Sequence, residues 1–297
     1  MTGWIVYNDS LKISKIKTLV KELYNKAKAR SWDIELVKSS EIVSYFNSFN
    51  KPKILCKKDL PDYVIFWDKD VLLAEHFELM GIRVFNSSES IAICDNKALM
   101  ANKLASAGIR VPITIKSPLI FSEKYDMSEY AKKAIEILGE TLVLKQVYGS
   151  FGEQVFLING LKELEKKIKE LGTKSFIVQE YIESSYGKDI RVNIVGKKVI
   201  GAMLRENKED FRANIALGGC GSLISIDDEL KNTAIKAFKT LKLDFAGLDF
   251  LFGKDGEFIL CELNSNVNYL GFEAMTGLSF SDELLDYIDR ELSLTCK

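Results

Sequence analysis

The chain has 297 residues, enough for two or three compact units, and 47% hydrophobic with 28% charged residues is ordinary globular composition. Its 41 Lys and Arg against 42 Asp and Glu give a formal net charge of -1, which argues against an obligatory electrostatic footprint for nucleic acid. Five widely spaced cysteines without a Cys-x-x-Cys, a single histidine and no apolar run near ~20 residues argue against a disulfide framework, a zinc knuckle, a histidine triad and a membrane span. No charged leader precedes a long apolar core in residues 1–12, so a cytoplasmic location is expected. His76 is expected as a surface or satisfied residue, and most cysteines as packing thiols.

In chain order, residues 3–7, 32–37 and 63–67 are short apolar runs separated by helical patterns at 16–30 and 70–80. They predict an open, largely parallel sheet of βα units over about the first 95 residues. A helix is expected over 95–107, stopped by Gly108 with Pro112 beyond. Strands at 142–147 and 154–158 flank Tyr148-Gly149-Ser150-Phe151-Gly152-Glu153, which reads as a hairpin connection and not as a strand entering a helix. Residues 161–171 form an amphipathic helix ending at Gly172, and 176–181 are strand-like. Strands at 190–195 and 198–205, a helix near 227–241, and two apolar strands at 245–252 and 258–264 predict a second, α+β unit facing the first. The fold class is therefore mixed α/β and α+β.

The strand at 258–264 turns oxygen-rich at its carboxyl end. Alternation places Phe258, Leu260, Glu262 and Asn264 on one face, and Ile259, Cys261 and Leu263 on the other. Asp249 adds a second carboxylate inside an apolar run, where burial is costly unless it is paired, hydrogen-bonded or bound to a cation. Two carboxylates and an amide oxygen suit Mg2+. Taken alone, the pattern fits a solvated strand end equally well. Lys145, in the strand before the glycine-containing loop, and Lys97 are cations where an unpaired ammonium is expensive to bury, although each alone fits a snorkelling side chain. Gly149 and Gly152 let a backbone approach a phosphate, without the Walker or dinucleotide pattern. Arg191, Arg205 and Arg212, with Asn214, lie in sequence between that loop and the oxygen-rich strand, and guanidinium forks suit phosphate and carboxylate oxygens. Cys220 has no base nearby in sequence, so no thiolate role is expected for it.

The ordered series Asn86-Ser87, Asp95-Asn96-Lys97, Val143-Leu144-Lys145 with its loop, Gln179-Glu180-Tyr181-Ile182, Asp189-Ile190-Arg191, Asp210-Phe211-Arg212-Ala213-Asn214, Gly247-Leu248-Asp249 and Glu262-Leu263-Asn264-Ser265 resembles the ATP-grasp ligases. Within them it is most similar to the RimK-type α-L-glutamate ligases. The resemblance runs over most of residues 63–290 and implies an ATP-grasp fold. Its parts would be an amino-terminal βα (pre-ATP-grasp) domain at 1–95, a nucleotide-binding subdomain at 96–185 and a carboxyl-terminal subdomain with a metal site at 186–297. By the same resemblance, Lys97 and Lys145 contact adenine or phosphates, Gly149, Ser150 and Gly152 form the phosphate lid, and Gln179, Glu180, Tyr181 and Ile182 face adenine. Asp189 lies on the ribose side, Arg212 and Asn214 at the phosphates, and Asp249, Glu262 and Asn264 hold Mg2+ or Mn2+, while Arg205 and Arg212 stabilise the charge in transfer. The implied reaction joins a carboxylate to an amine through an acyl phosphate, forming ADP. L-glutamate is the family's amine, and the acceptor is a peptide, a protein tail or a small-molecule carboxylate. A same-fold ligase for another amino acid or amine, and a non-catalytic ATP-binding module, are the alternatives; no membrane or obligatory nucleic-acid partner is implied, and homo-oligomerisation stays open. The chain departs from the family in its lid, usually closer to Gly-x-x-Gly-x-Gly, and in Ser265-Asn266-Val267-Asn268, where Ser-Pro-Gly is usual.

Overall fold

Continuous apolar runs make strands buried on both faces, and the first part of the chain is built on them. The computed structural model describes residues 1–10, 14–149, 152–215 and 218–295. The first part contains β1 (Thr2–Tyr7), α1 (Ser14–Ala29), β2 (Asp33–Lys38), β3 (Val43–Phe46), β4 (Pro52–Leu55), β5 (Tyr63–Trp67), α2 (Val71–Leu79), β6 (Arg83–Phe85) and α3 (Ser88–Asp95). Strands β2-β1-β5-β6 form the expected parallel sheet. The β3–β4 hairpin is an addition to the expected elements; its strands are largely exposed, so it carries no buried alternation to read. His76 is buried and satisfied, its Nε2 2.9 Å from the Lys53 carbonyl oxygen.

The next elements are α4 (Lys97–Ser106), β7 (Thr114–Lys116), α5 (Ser128–Leu138), β8 (Thr141–Gln146), β9 (Val155–Asn159), α6 (Leu161–Leu171) and β10 (Phe176–Glu180). The single helix expected over 95–107 is two. Asn96 takes extended backbone at φ -95, and its side chain accepts from the Leu99 N–H at 2.9 Å, so it caps α4 instead of continuing α3. Strands β7-β10-β8-β9 form an antiparallel sheet in which β8 and β9 are the expected hairpin. Helices α5 and α6 cover one face through Ala131, Ala134, Leu164 and Ile168 against Leu142, Leu144 and Phe176.

The remaining elements are β11 (Lys188–Val195), β12 (Lys198–Glu206), β13 (Cys220–Ile224), α7 (Asp228–Thr240), β14 (Phe245–Phe252), β15 (Phe258–Asn264), α8 (Tyr269–Thr276) and α9 (Phe280–Thr295). Strands β13-β12-β11-β14-β15 form an antiparallel sheet. The strict alternation expected along β15 fails. Asp249 pairs with Glu262 but Phe250 pairs with Leu260, so Cys261 is an extra residue in a bulge. The bulge leaves Cys261 and Glu262 both lining a cleft, while Leu260 and Leu263 both enter the core.

Helices α8 and α9 return to the first sheet, and Tyr269, Phe280, Leu284 and Ile288 share a core with Ile5, Leu23, Tyr63 and Phe85. Trp67 stacks on Phe245 at 5.2 Å. Asn86, after β6, fixes the junction: its Nδ2 donates to the Phe245 and Ser265 carbonyls at 3.0 Å each, and its Oδ1 accepts from the Asp244 N–H at 2.6 Å. This ties the first sheet to the start of β14 and the end of β15. Among the described residues, no helix is long and apolar enough to cross a membrane.

Candidate active site

The cleft lies between the sheet containing β8 and β10 and the sheet containing β11, β12, β14 and β15, and encloses about 1030 Å³ of empty space, open solvent included. Leu142 and Leu144 alternate into the core, so Val143 and Lys145 face the cleft. Lys145, 9% exposed, places Nζ 3.4 Å from Cys261 Sγ. Lys97, first residue of α4, donates from Nζ to the Gly149 carbonyl at 2.9 Å and lies 3.7 Å from Glu262 Oε1. Each lysine thus links the hairpin side to β15. On β10, Gln179 donates from Nε2 to Thr114 Oγ1 at 2.8 Å, while its buried Oε1 has no partner among the described residues. Glu180 Oε2 accepts from Arg110 Nη2 and the Ile113 N–H, each at 3.0 Å.

The opposite wall is charged. Asp189 and Arg191 alternate onto one face of β11; Arg205 stands opposite Asp189 on β12, and Asp249 opposite Arg191 on β14. Arg205 grips Asp189 with Nε and Nη2, both at 2.6 Å, and Nη2 also reaches Asp249 Oδ1 at 2.9 Å. Arg191 binds Asp249 through Nε and Nη2. Burial alone would push the Asp249 carboxyl up, but the Arg191 and Arg205 guanidiniums overcome it and hold the group below the usual carboxylate range. For Asp189, burial and the neighbouring Asp249 charge prevail over Arg205, and its carboxyl is raised. Burial works against the Arg205 charge, and the two carboxylates more than offset it, so Arg205 stays ionised. At the cleft mouth Arg212 binds Asp210 through Nε and Nη2, at 2.9 and 2.7 Å, and donates from Nη1 to the Gly152 carbonyl.

Every residue that the sequence assigns to nucleotide, metal or phosphoryl transfer lines this cleft except Ser150, which lies outside the described residues: Lys97, Lys145, Gly149, Gly152, Gln179, Glu180, Tyr181, Ile182, Asp189, Arg205, Arg212, Asn214, Asp249, Glu262 and Asn264. Cys220 is exposed at the start of β13 and is not among the lining residues. Arg191, named in the sequence pattern but given no role there, is a member of the charged wall; its two-residue spacing from Asp189 was the available signal. Cys261 also lines the cleft, and burial pushes its thiol up despite Lys145. No sequence signal marks it, because the bulge depends on the register of the neighbouring strand.

The residues fit a nucleotide and a hard cation. Gln179 Oε1 is a buried acceptor on the cleft wall, unpartnered among the described residues and suited to an amino donor such as that of adenine. Among the described residues no three His, Cys, Asp or Glu cluster as a metal site. The available donor set is instead two carboxylates and an amide: Asp249 faces Glu262 across the strand pair, with Asn264 two residues beyond. Glu262 has Lys97 as its ion-pair partner at 3.7 Å, and the Asn264 amide has no partner among the described residues. Oxygen-only ligation of this kind suits Mg2+ or Mn2+.

Residues 94–288 match the RimK-like ATP-grasp domain family. The chain is 31% identical over 287 residues to the probable alpha-L-glutamate ligase 1 of Shewanella denitrificans, covering 91% of this chain and 92% of that one. It is 34% identical over 222 residues to human N-acetylaspartylglutamate synthase A; the match takes in 74% of this chain and 56% of the synthase, so the chain spans a little over half that protein's length. The ATP-grasp ligase PsnB, solved with a phosphomimetic variant of its minimal precursor, Mg and ADP, shares the fold with a TM-score of 0.70 at 19% identity, covering 96% of this chain and 98% of that one. Fold, cleft and sequence agree, and the chain belongs to the RimK-like ATP-grasp family of ATP-dependent carboxylate-amine ligases.

Proposed function

We propose that the protein joins an amino acid, with L-glutamate the first candidate, to the carboxylate of a peptide, a protein tail or a small molecule, forming an amide, ADP and phosphate. The observation that carries this reading is a cleft in which two buried lysines face a wall of two arginines and two ionisable carboxylates. In this reading residues 1–95, 96–185 and 186–297 act as three units, with ATP between the last two.

Gln179 to Ile182 receive adenine, Asp189 the ribose, and Lys97, Lys145, Arg212 and Asn214 the phosphates. Gly149, Ser150 and Gly152 cover them, with Arg212 anchoring the loop through the Gly152 carbonyl. Asp249, Glu262 and Asn264 hold Mg2+ or Mn2+, which when bound neutralises phosphate charge. Phosphoryl transfer needs positioning and charge stabilisation more than a protein nucleophile. Arg205, held by two carboxylates, keeps Nη1 for an oxygen of the transferring group, and the closed loop keeps water from the acyl phosphate. The amine then attacks the acyl carbon and phosphate leaves.

The test is ADP release with ATP, Mg2+ and a matrix of carboxylates and amines, followed by product mass. The reading expects release that requires both partners and a product equal to their sum minus water. Release indifferent to both would contradict it.

A further inference from the structure

The β-sheet beside the cleft holds two polar atoms for which the described residues supply no partner. Asn193 lies two residues beyond Arg191 on β11, hence on the same face. It is 1% exposed, and neither Nδ2 nor Oδ1 is hydrogen-bonded among the described residues. Buried amide groups are normally satisfied, so this one asks for a partner.

Its neighbours across the sheet carry no side chain. Asn193 pairs with Gly201 and Gly247, and Gly247 pairs in turn with Asn264 of the cleft. A Cβ on Gly247 would stand 2.9 Å from Arg191 Nη1 and 3.1 Å from Asn193 Oδ1, so guanidinium and amide meet over this glycine. Arg191 Nε and Nη2 are committed to Asp249, which leaves Nη1 without a partner among the described residues. A cationic N–H, an amide donor and an amide acceptor therefore stand side by side.

That set matches an α-amino acid: the carboxylate accepts from Arg191 Nη1 and Asn193 Nδ2, and the amine donates to Asn193 Oδ1. An uncharged acceptor also suits an amine that must attack. A carboxylate in its place would favour the ammonium form, whereas an amide oxygen orients the amine and leaves it free to lose a proton. Resting on the ligase reading above, the geometry points to Asn193 as the residue that reads the α-amino and carboxylate groups of the incoming amino acid, with Arg191 beside it, and so sets a preference for an unmodified α-amino acid as the amine.

The test uses the full chain with Mg2+ and a non-hydrolysable ATP analogue, titrated calorimetrically with L-glutamate, the other protein amino acids and their α-carboxamides. At least one amino acid should bind, its carboxamide at least about tenfold more weakly. Asn193→Leu should weaken that amino acid at least about tenfold while the affinity for the ATP analogue stays at the parental value. Its Tm should match or exceed the parent's, because two unsatisfied atoms are removed; Asn193→Ala supplies the same comparison if leucine does not fit. Parental amino-acid affinity in both variants would assign Asn193 a structural role and overturn the inference, as would failure of every amino acid to bind the nucleotide-loaded protein. Failure of the ATP analogue itself to bind would overturn the ligase reading, and this inference with it.

Discussion

Asp244 and Asp249 lie five residues apart, 4% and 7% exposed, and they separate a carboxylate that braces the fold from one placed to act. Asp244, just before β14, accepts from the Tyr287 hydroxyl at 2.8 Å and from Arg83 at 2.6 Å, and the Arg83 side chain reaches solvent. Burial prevails there, and the Asp244 carboxyl is pushed above its usual range. Asp249 faces the cleft between two guanidiniums, Arg205 buried and Arg191 nearly so, that overcome the same burial and depress it. One surface cation on β6 and one hydroxyl on α9 meet at the carboxylate before β14. Two cations behind a cavity keep a carboxylate ionised where a ligand can reach it. Burial alone does not mark a site; the supply of counter-charge toward a cavity does.

The largest effect should come from the cleft side of this comparison. Asp249→Asn and Glu262→Gln should each lower ligation on the order of 100-fold or more, read as amine-dependent ADP release with Mg2+, while ATP still binds. Parental turnover in either would remove these residues from the metal site. Asp244→Asn should leave turnover near parental and shift stability by about 1 kcal/mol or less, since it keeps the shape and removes a buried charge.

The two carboxylates should also differ in the sign of their pH dependence. Asp249 has a lowered folded pKa, so its stabilisation is complete above the unfolded value of ~3.9 and is lost as pH falls through the folded value. Asp244 has a raised folded pKa, so its contribution is complete below the unfolded value and is lost as pH rises through the folded one. Relative to the parent, the Tm of Asp249→Asn should fall as pH rises toward about pH 5 and level off above it, whereas that of Asp244→Asn should rise from about pH 4 upward. Parallel curves would contradict the contrast. The smallest effect belongs outside the cleft: Cys220→Ser should retain most of the activity, and a thioester trapped at Cys220 during turnover would show otherwise.

What the sequence discloses follows from what is local. The bounds of β14, β15 and α6 were legible because apolar runs or an amphipathic stripe end at turn residues, as α6 does between Gly160 and Gly172. The parallel first sheet was legible for the same reason. The break at Asn96 was not, because an asparagine between two helical patterns fits a cap or an interior position equally until its backbone is known. Strand β13, short and mostly exposed, carries no burial pattern to read. In the cleft, residue types and their order were legible, but pairings across strands were not. That Arg191 grips Asp249, and that Cys261 bulges into the cleft, are properties of register between segments distant in the chain.

The central claim is that the cleft transfers a phosphoryl group to a carboxylate. The most direct measurement follows the oxygen: a carboxylate substrate labelled with heavy oxygen is turned over with ATP and an amine, and the label is traced by mass. The acyl phosphate route predicts one labelled oxygen in inorganic phosphate, with ADP as the nucleotide product. Label in AMP would show adenylation instead and contradict the assignment of Arg205, Arg212 and the oxygen-rich wall to the terminal phosphate.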